Sequence, residues 1–327
     1  MEVPLGLNNL MNILITGGTG YLAGRIYKYF NNKNFNVKIA SRNPKKMLGK
    51  LPAKKLIKIN WKNIENIEKI CQGIDVIVHT VGMNADNSKQ NPKTANLVKE
   101  SITYNLLSAA NKKKVKKFIY ISTAHVYSNF LNSNITEKTI TNNKHPYAIS
   151  NLKGEKVVLS LNKKKQYTKS YILRLSNAFG YPLFKDSDCW KLFVNNICQQ
   201  SIKNKKILIK QNPLFKRDFI TIYKFLEVLE KFFKLKKNHN QNIIYNVGSG
   251  NSYTLIQMAY KIRSRVFKLL NYYPEISFKN NKNFNKDNVN FKYNISKLIK
   301  LKITKNNYLN KEIDELILFC KKNYEKQ

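Results

Sequence analysis

Asn12-Ile13-Leu14-Ile15-Thr16-Gly17-Gly18-Thr19-Gly20-Tyr21-Leu22-Ala23-Gly24 is the stretch from which the fold can be read. Asn12 to Thr16 is a short apolar run, as expected of a strand buried on both faces of a parallel sheet. It ends in a glycine loop, and an amphipathic helix from about Gly20 to Asn32 follows. Glycines permit the tight turn and let backbone approach a pyrophosphate, whose charge meets the helix N-terminus. A glycine loop alone is weak evidence. Strand, loop and helix in that order assign Thr16, Gly17, Thr19, Gly20, Tyr21 and Leu22 to a dinucleotide.

The same alternation runs onward. Strands are expected at Asn36 to Ala40, Lys55 to Ile59, Asp75 to His79, Lys117 to Ile121 and Ser170 to Leu175. Helices are expected through Leu97 to Asn111 and Tyr147 to Leu161. This spacing predicts an α/β fold with a doubly wound parallel sheet. After Asn177 the pattern becomes irregular. Helices are expected near Trp190 to Lys203, Ile222 to Lys234 and Leu309 to Lys322. A strand is expected near Ile207, and one at Ile243 to Val247 returning to the sheet. Asn280 to Asn290 reads as a polar loop. The division is a nucleotide-binding domain over 1–176, with a returning segment near 221–247, and a smaller mixed lobe over 177–327.

The second strand ends in Ser41-Arg42, with Lys45 and Lys46 close behind. A carboxylate there would hold the ribose 2′-hydroxyl of NAD, whereas arginine suits the 2′-phosphate of NADP. NADP is therefore expected, with NAD as the alternative. Asn60, Trp61, Thr80, Val81 and Gly82, which follow the next two strands, complete the cofactor set.

Composition narrows the function. The chain of 327 residues carries 59 Lys and Arg against 19 Asp and Glu, a formal charge of +40. Such a balance can mark a nucleic-acid binder. Here the lysines are dispersed, and Lys, Asn, Ile, Tyr and Phe, all with AT-rich codons, are abundant together. The charge reads as compositional bias, and nucleic acid is not the expected partner. Arginine and glycine are scarce, so where they persist chemistry is the expected reason. Cys71, Cys189, Cys198 and Cys320 form no metal-ligand pattern, and no metal is expected. No run of about 18 apolar residues suggests a membrane span. Met1 to Leu10 does not read as a signal peptide, and Met11 reads as an alternative start; the expected setting is cytoplasmic.

The ordered motifs resemble the extended short-chain dehydrogenase/reductases, within them the nucleotide-sugar epimerase/dehydratase group. They are Thr16 to Gly24, Asp75 to His79, Asn105-Leu106-Leu107, Ile121 to Tyr127, Pro146 to Ser150, Arg174 to Asn177 with Gly180, Arg217 to Ile220 and Tyr245 to Gly250. The resemblance implies an NAD(P)-dependent enzyme acting on a nucleotide-linked sugar, of the kind used in polysaccharide biosynthesis, and allows a homodimer. By it, Thr123 hydrogen-bonds the reacting oxygen and Tyr147 is the general acid/base. A phenol of ordinary pKa near 10 needs a nearby positive charge to exchange protons at neutral pH.

The sequence departs from the group at that charge. Four residues after Tyr147, where the group has lysine, stands Asn151, which can hydrogen-bond a ribose but carries no charge. Lys153 lies about 240° round the helix and faces away. A lysine from elsewhere in the chain would have to reach in. The group's dehydratases carry Asp-Glu directly after the Thr; here Ala124-His125 stand there, which argues against a 4,6-dehydratase. Epimerisation or reduction of a ketosugar remains. His125, with an ordinary pKa near neutrality, is a candidate proton donor, or a loop histidine bonded to backbone. The resemblance gives Asn177 and Arg217 to the substrate's diphosphate. Trp190 is offered for stacking on base or sugar, against an ordinary core role. The reading from another class is a catalytically silent NADP-binding relative, regulatory or RNA-binding, suggested by Asn151 and the charge.

Overall fold

The computed structural model describes residues 10–127, 133–163, 166–235, 243–279, 290–303 and 306–325. The Met1 to Leu10 segment, save Leu10, and the polar loop read at Asn280 to Asn290, save Asn290, lie outside the described residues.

In chain order, β1 (Met11–Thr16), α1 (Tyr21–Asn31), β2 (Phe35–Ser41), β3 (Leu56–Lys58), α2 (Ile64–Cys71) and β4 (Val76–His79) form the first half of the sheet. Then come α3 (Ala85–Gln90), α4 (Pro92–Lys112), β5 (Lys117–Thr123), β6 (Asn134–Ile135), α5 (Pro146–Lys163) and β7 (Lys169–Leu175). Beyond them lie β8 (Asn177–Phe179), α6 (Phe193–Lys203), β9 (Lys206–Ile209), β10 (Lys216–Thr221), α7 (Ile222–Lys234) and β11 (Ile244–Val247). The chain continues through β12 (Ser252–Thr254), α8 (Leu255–Leu270), β13 (Glu275–Phe278), β14 (Lys292–Tyr293), α9 (Ser296–Ile299) and α10 (Leu309–Tyr324).

The central sheet is seven-stranded, in the order β11-β7-β5-β4-β1-β2-β3. All its pairings are parallel. The strands carry apolar residues on both faces because helices cover both. Ile13 and Ile15 of β1 join one core with α1 and α7, while Leu14 joins the other with α2, α4 and α5. On α7, Phe225, Leu226, Leu229, Phe232 and Phe233 are buried, each contributing about 1.5–3 kcal/mol. The chain runs outward from β1 through β2 and β3, then β4 returns to the other side of β1. That reversal opens a crevice at the carboxyl ends of β1 and β4, where open α/β sheets bind ligands.

A third core gathers α6, α8 and α10 under a sheet of β8, β10 and β12. It is tied to α1 by the buried pair Arg25–Glu312 at 2.8 Å and by the Tyr21 hydroxyl, which donates to the Gly180 carbonyl. Two differences from the sequence reading bear on the site. Helix α4 begins at Pro92 rather than near Leu97, because proline suits the first turn. The short strands β6, β8, β10, β12, β13 and β14 span at most six residues and pair with distant partners, so periodicity alone does not reveal them.

Candidate active site

One wall of the crevice is backbone. Gly17 has φ +87°, and a Cβ there would lie 2.6 Å from the Thr80 hydroxyl and 3.1 Å from the Val81 nitrogen. A Cβ on Gly18 would lie 2.2 Å from an Ile39 methyl. Glycine at both is thus a steric requirement of folding the bend between β2 and β4. The Thr80 hydroxyl donates to the Thr16 carbonyl at 2.6 Å and locks the bend. Helix α1 starts at Tyr21 after Gly20 as its N-cap, which offers no side-chain cap, so its first amides face the bend where an anion can meet them. A dinucleotide pyrophosphate fits this bend. Thr19, Gly20, Tyr21, Leu22, Thr80 and Gly82 line a cleft of about 640 Å³; Thr16, Gly17 and Val81 shape it from behind. Ser41 is buried at the end of β2, and Arg42 beyond it is exposed, as is Asn60 past β3. Trp61 sets its edge against His79 at 6.4 Å.

The facing wall is made of side chains. Thr123 ends β5, and its hydroxyl accepts from the His125 amide at 3.2 Å, capping the turn Ala124–Val126. Tyr147 stands in the first turn of α5, at the same end of the sheet. Both line the cleft. Burial pushes the Tyr147 phenol up, while hydrogen bonds with the Thr123 hydroxyl and the Asn151 side chain draw it down. The Asn151 amide also donates to the Tyr147 carbonyl at 2.8 Å, so part of its capacity is spent within α5. Lys153 pairs with Glu100 at 3.2 Å on the outer surface, facing away as the helical spacing predicts.

His125 lines the mouth of the cleft and keeps contact with solvent. Surrounding protein, the Arg217 cation and His145 all hold it below its usual range. The shift makes it a weaker base than an ordinary histidine. His79 is fully buried and held neutral by burial and by Lys99. Its ring nitrogens lie 2.7 Å from the Thr16 hydroxyl and 3.2 Å from that of Thr103. It braces β1 against α4.

Of the residues proposed for substrate, Asn177 lines the cleft and its amide donates to the Asp218 carbonyl at 2.9 Å. Arg217 lies on β10 behind His125, with one amino group on Gln211 at 2.8 Å. Trp190 is not brought to the cleft. It stacks on Phe319, sets its edge against Tyr324 and donates from Nε1 to the Lys185 carbonyl at 2.9 Å. Aromatic partners on α10, distant in sequence, claim it. The Gly248-Ser249-Gly250 turn wraps Asp218, whose buried carboxylate accepts from Ser176, from the Ser249 amide and hydroxyl, and from the Gly250 amide.

Sequence reasoning missed Lys99. It lies on α4 and lines the cleft, yet is 4% exposed. A signal existed: Ala95, Lys99, Thr103, Leu106 and Ala110 share the buried stripe of α4, and a lysine in such a stripe is out of place.

A family described as "NAD dependent epimerase/dehydratase family" matches residues 13–248. A dTDP-D-glucose 4,6-dehydratase of Dictyostelium discoideum is 29% identical over 283 residues, covering 77% of this chain and 62% of that protein. An ADP-L-glycero-D-manno-heptose-6-epimerase of Brachyspira hyodysenteriae is 25% identical over 269 residues, covering 78% and 81%. The solved UDP-glucuronic acid 4-epimerase of Bacillus cereus, in complex with UDP-glucuronic acid and NAD, superposes with a TM-score of 0.78. It covers 96% of this chain and 100% of its own at 19% identity, a likeness of fold.

Proposed function

Because the chain belongs to the NAD dependent epimerase/dehydratase family, we propose that it is an epimerase or ketosugar reductase acting on a nucleotide-linked sugar. The observation that carries this reading is the convergence of Thr123 and Tyr147 on the cleft that opens at the α1 N-terminus. A bound nicotinamide dinucleotide would supply the hydride acceptor or donor. Thr16 to Leu22 would hold its pyrophosphate, Thr80 to Gly82 its middle, and Ser41, Arg42, Asn60 and Trp61 its adenosine end. Arg42 favours NADP there over NAD, through a bidentate grip on a 2′-phosphate.

Tyr147 takes the proton of the sugar hydroxyl as that carbon is oxidised and returns it on reduction. The Thr123 hydroxyl orients the same oxygen. Ala124 and His125 offer no carboxylate, so the acid pair that elimination of water would need is missing, which favours epimerisation or reduction. His125 at the mouth of the cleft is the further candidate for proton exchange with the sugar. Asn177 and Arg217 are proposed for the sugar's diphosphate.

A melt of the protein with NAD, NADP and UDP-, GDP- and dTDP-sugars tests this, followed by turnover read as new sugar product by chromatography and, for reduction, also at the reduced nicotinamide band. A ligand at 100 times its dissociation constant stabilises by about 2.7 kcal/mol. The expected result is a shift with a dinucleotide and turnover of at least one sugar. Dinucleotide binding without turnover would favour the silent relative, and steeply salt-dependent RNA binding its nucleic-acid form.

A further inference from the structure

The chain carries 59 lysines and arginines, yet among the described residues that line the cleft Lys99 is the one such cation. No hydrogen bond or ion pair among the described residues takes its ammonium. The nearest carboxylate that acts on it, Glu155, is already engaged by Arg174 at 2.7 Å and by the Ser122 hydroxyl at 2.5 Å. A buried lysine with no hydrogen-bond or ion-pair partner among the described residues is costly, and such groups concentrate where chemistry uses them.

Its placement indicates a use. The Lys99 ammonium lies 4.8 Å from the centroid of the Tyr120 ring, whose hydroxyl donates to the Asn151 carbonyl at 3.2 Å. Tyr120 can sit so close under α5 because residue 154 is glycine, where a Cβ would lie 2.1 Å from the hydroxyl. The ammonium also passes beside Gly82, where a Cβ would lie 3.1 Å from Nζ. Lys99 therefore reaches from α4 past Gly82 and over the Tyr120 ring, whose hydroxyl meets the Asn151 carbonyl, into the cleft that Tyr147 and Thr123 also line. Asn151 brings no charge there, and Lys153 is paired outside.

We propose that Lys99 is the cation of this cleft, a positioning residue that holds the nicotinamide ribose and steadies the Tyr147 phenolate in place of position 151. The inference rests on the proposed reaction. When the phenol gives its proton to the reacting oxygen it becomes a phenolate, and the reverse step restores it; Lys99 keeps its own protons and supplies only field and hydrogen bonds. Burial pulls the lysine down to about 7, against the pull of Glu155 upward, so its charge is adjustable at neutral pH.

The test uses the full chain, calorimetric titration with NAD and with ADP, and the pH profile of kcat/KM on a sugar found active. Lys99→Met is expected to weaken NAD about tenfold and leave ADP, which lacks the nicotinamide ribose, within twofold. The limb of the profile that reports Tyr147 should move to higher pH. Asn151→Lys added to Lys99→Asn is expected to restore both, and Lys99→Arg to keep NAD affinity if Lys99→Met folds poorly. Equal losses for NAD and ADP, or no change in NAD with an unmoved profile, would overturn the proposal. If no sugar turns over, the proposed reaction fails, while the NAD-against-ADP comparison still decides the role of Lys99.

Discussion

The two walls of the cleft are built by different means. The wall at residues 17–20 is backbone, shaped by glycines whose missing Cβ atoms are required by Thr80 and Ile39. The facing wall is side chains carried by β5, α5 and α4, whose meeting depends on how those elements pack. The backbone wall tolerates little substitution but does no proton chemistry. The side-chain wall carries the groups proposed for that chemistry, and the Lys99 proposal would have one of its parts supplied from α4 instead of α5. Binding and reaction should therefore separate under mutation.

The largest separation is expected for Tyr147→Phe. General acid/base groups contribute about 10²–10⁴-fold, so kcat should fall by that order while the dinucleotide dissociation constant stays within threefold. A parallel loss of binding would break the distinction between the walls. Next is the stability of Lys99→Met. Lys99 is pulled down by burial to about 7 from its ordinary value of 10.5. Between those pH values the unfolded chain holds a proton that the folded chain lacks. Folding therefore loses ~1.4 kcal/mol per unit as pH falls, and the loss is constant below about 7. Lys99→Met should melt higher than the native protein at pH 7, and the gain should vanish as pH approaches 10.5. A lower melt at pH 7 would mean that the ammonium is held by contacts other than those described.

Gly17→Ala sharpens the comparison from the other side. A Cβ at φ +87°, 2.6 Å from the Thr80 hydroxyl, should cost about 1–3 kcal/mol in stability. It should also weaken NAD and ADP together, with kcat at saturating cofactor nearly kept. The smallest effect is expected at the exposed rim. Arg42→Ala should shift the ratio of NADP to NAD affinity by about tenfold, roughly 1.4 kcal/mol, without touching kcat. A melt shifted by NAD alone in the native protein would overturn the role proposed for Arg42.

Much of the backbone wall was legible. The strand at Asn12 to Thr16, the glycines behind it and the helix after it are neighbours in sequence, and their spacing states the turn. The strands of the central sheet were legible for the same reason, being continuous apolar runs buried on both faces. Tyr147 and Thr123 were singled out through motif resemblance, and their meeting in one cleft follows from the packing of β5 and α5. Trp190 shows the opposite case. The sequence left it between stacking on substrate and an ordinary core role, and Phe319 and Tyr324 draw it to α10.

By itself, the sequence determined where the chain bends at Gly17 and Gly18 and which strands lie in the sheet, because those are set by local sterics and apolar periodicity. Tertiary structure decided which cation shares a cleft with Tyr147. Lys99 and Asn151 sit on different helices, and only the packing of α4 along α5, with Tyr120 between them, brings charge and phenol to one cleft.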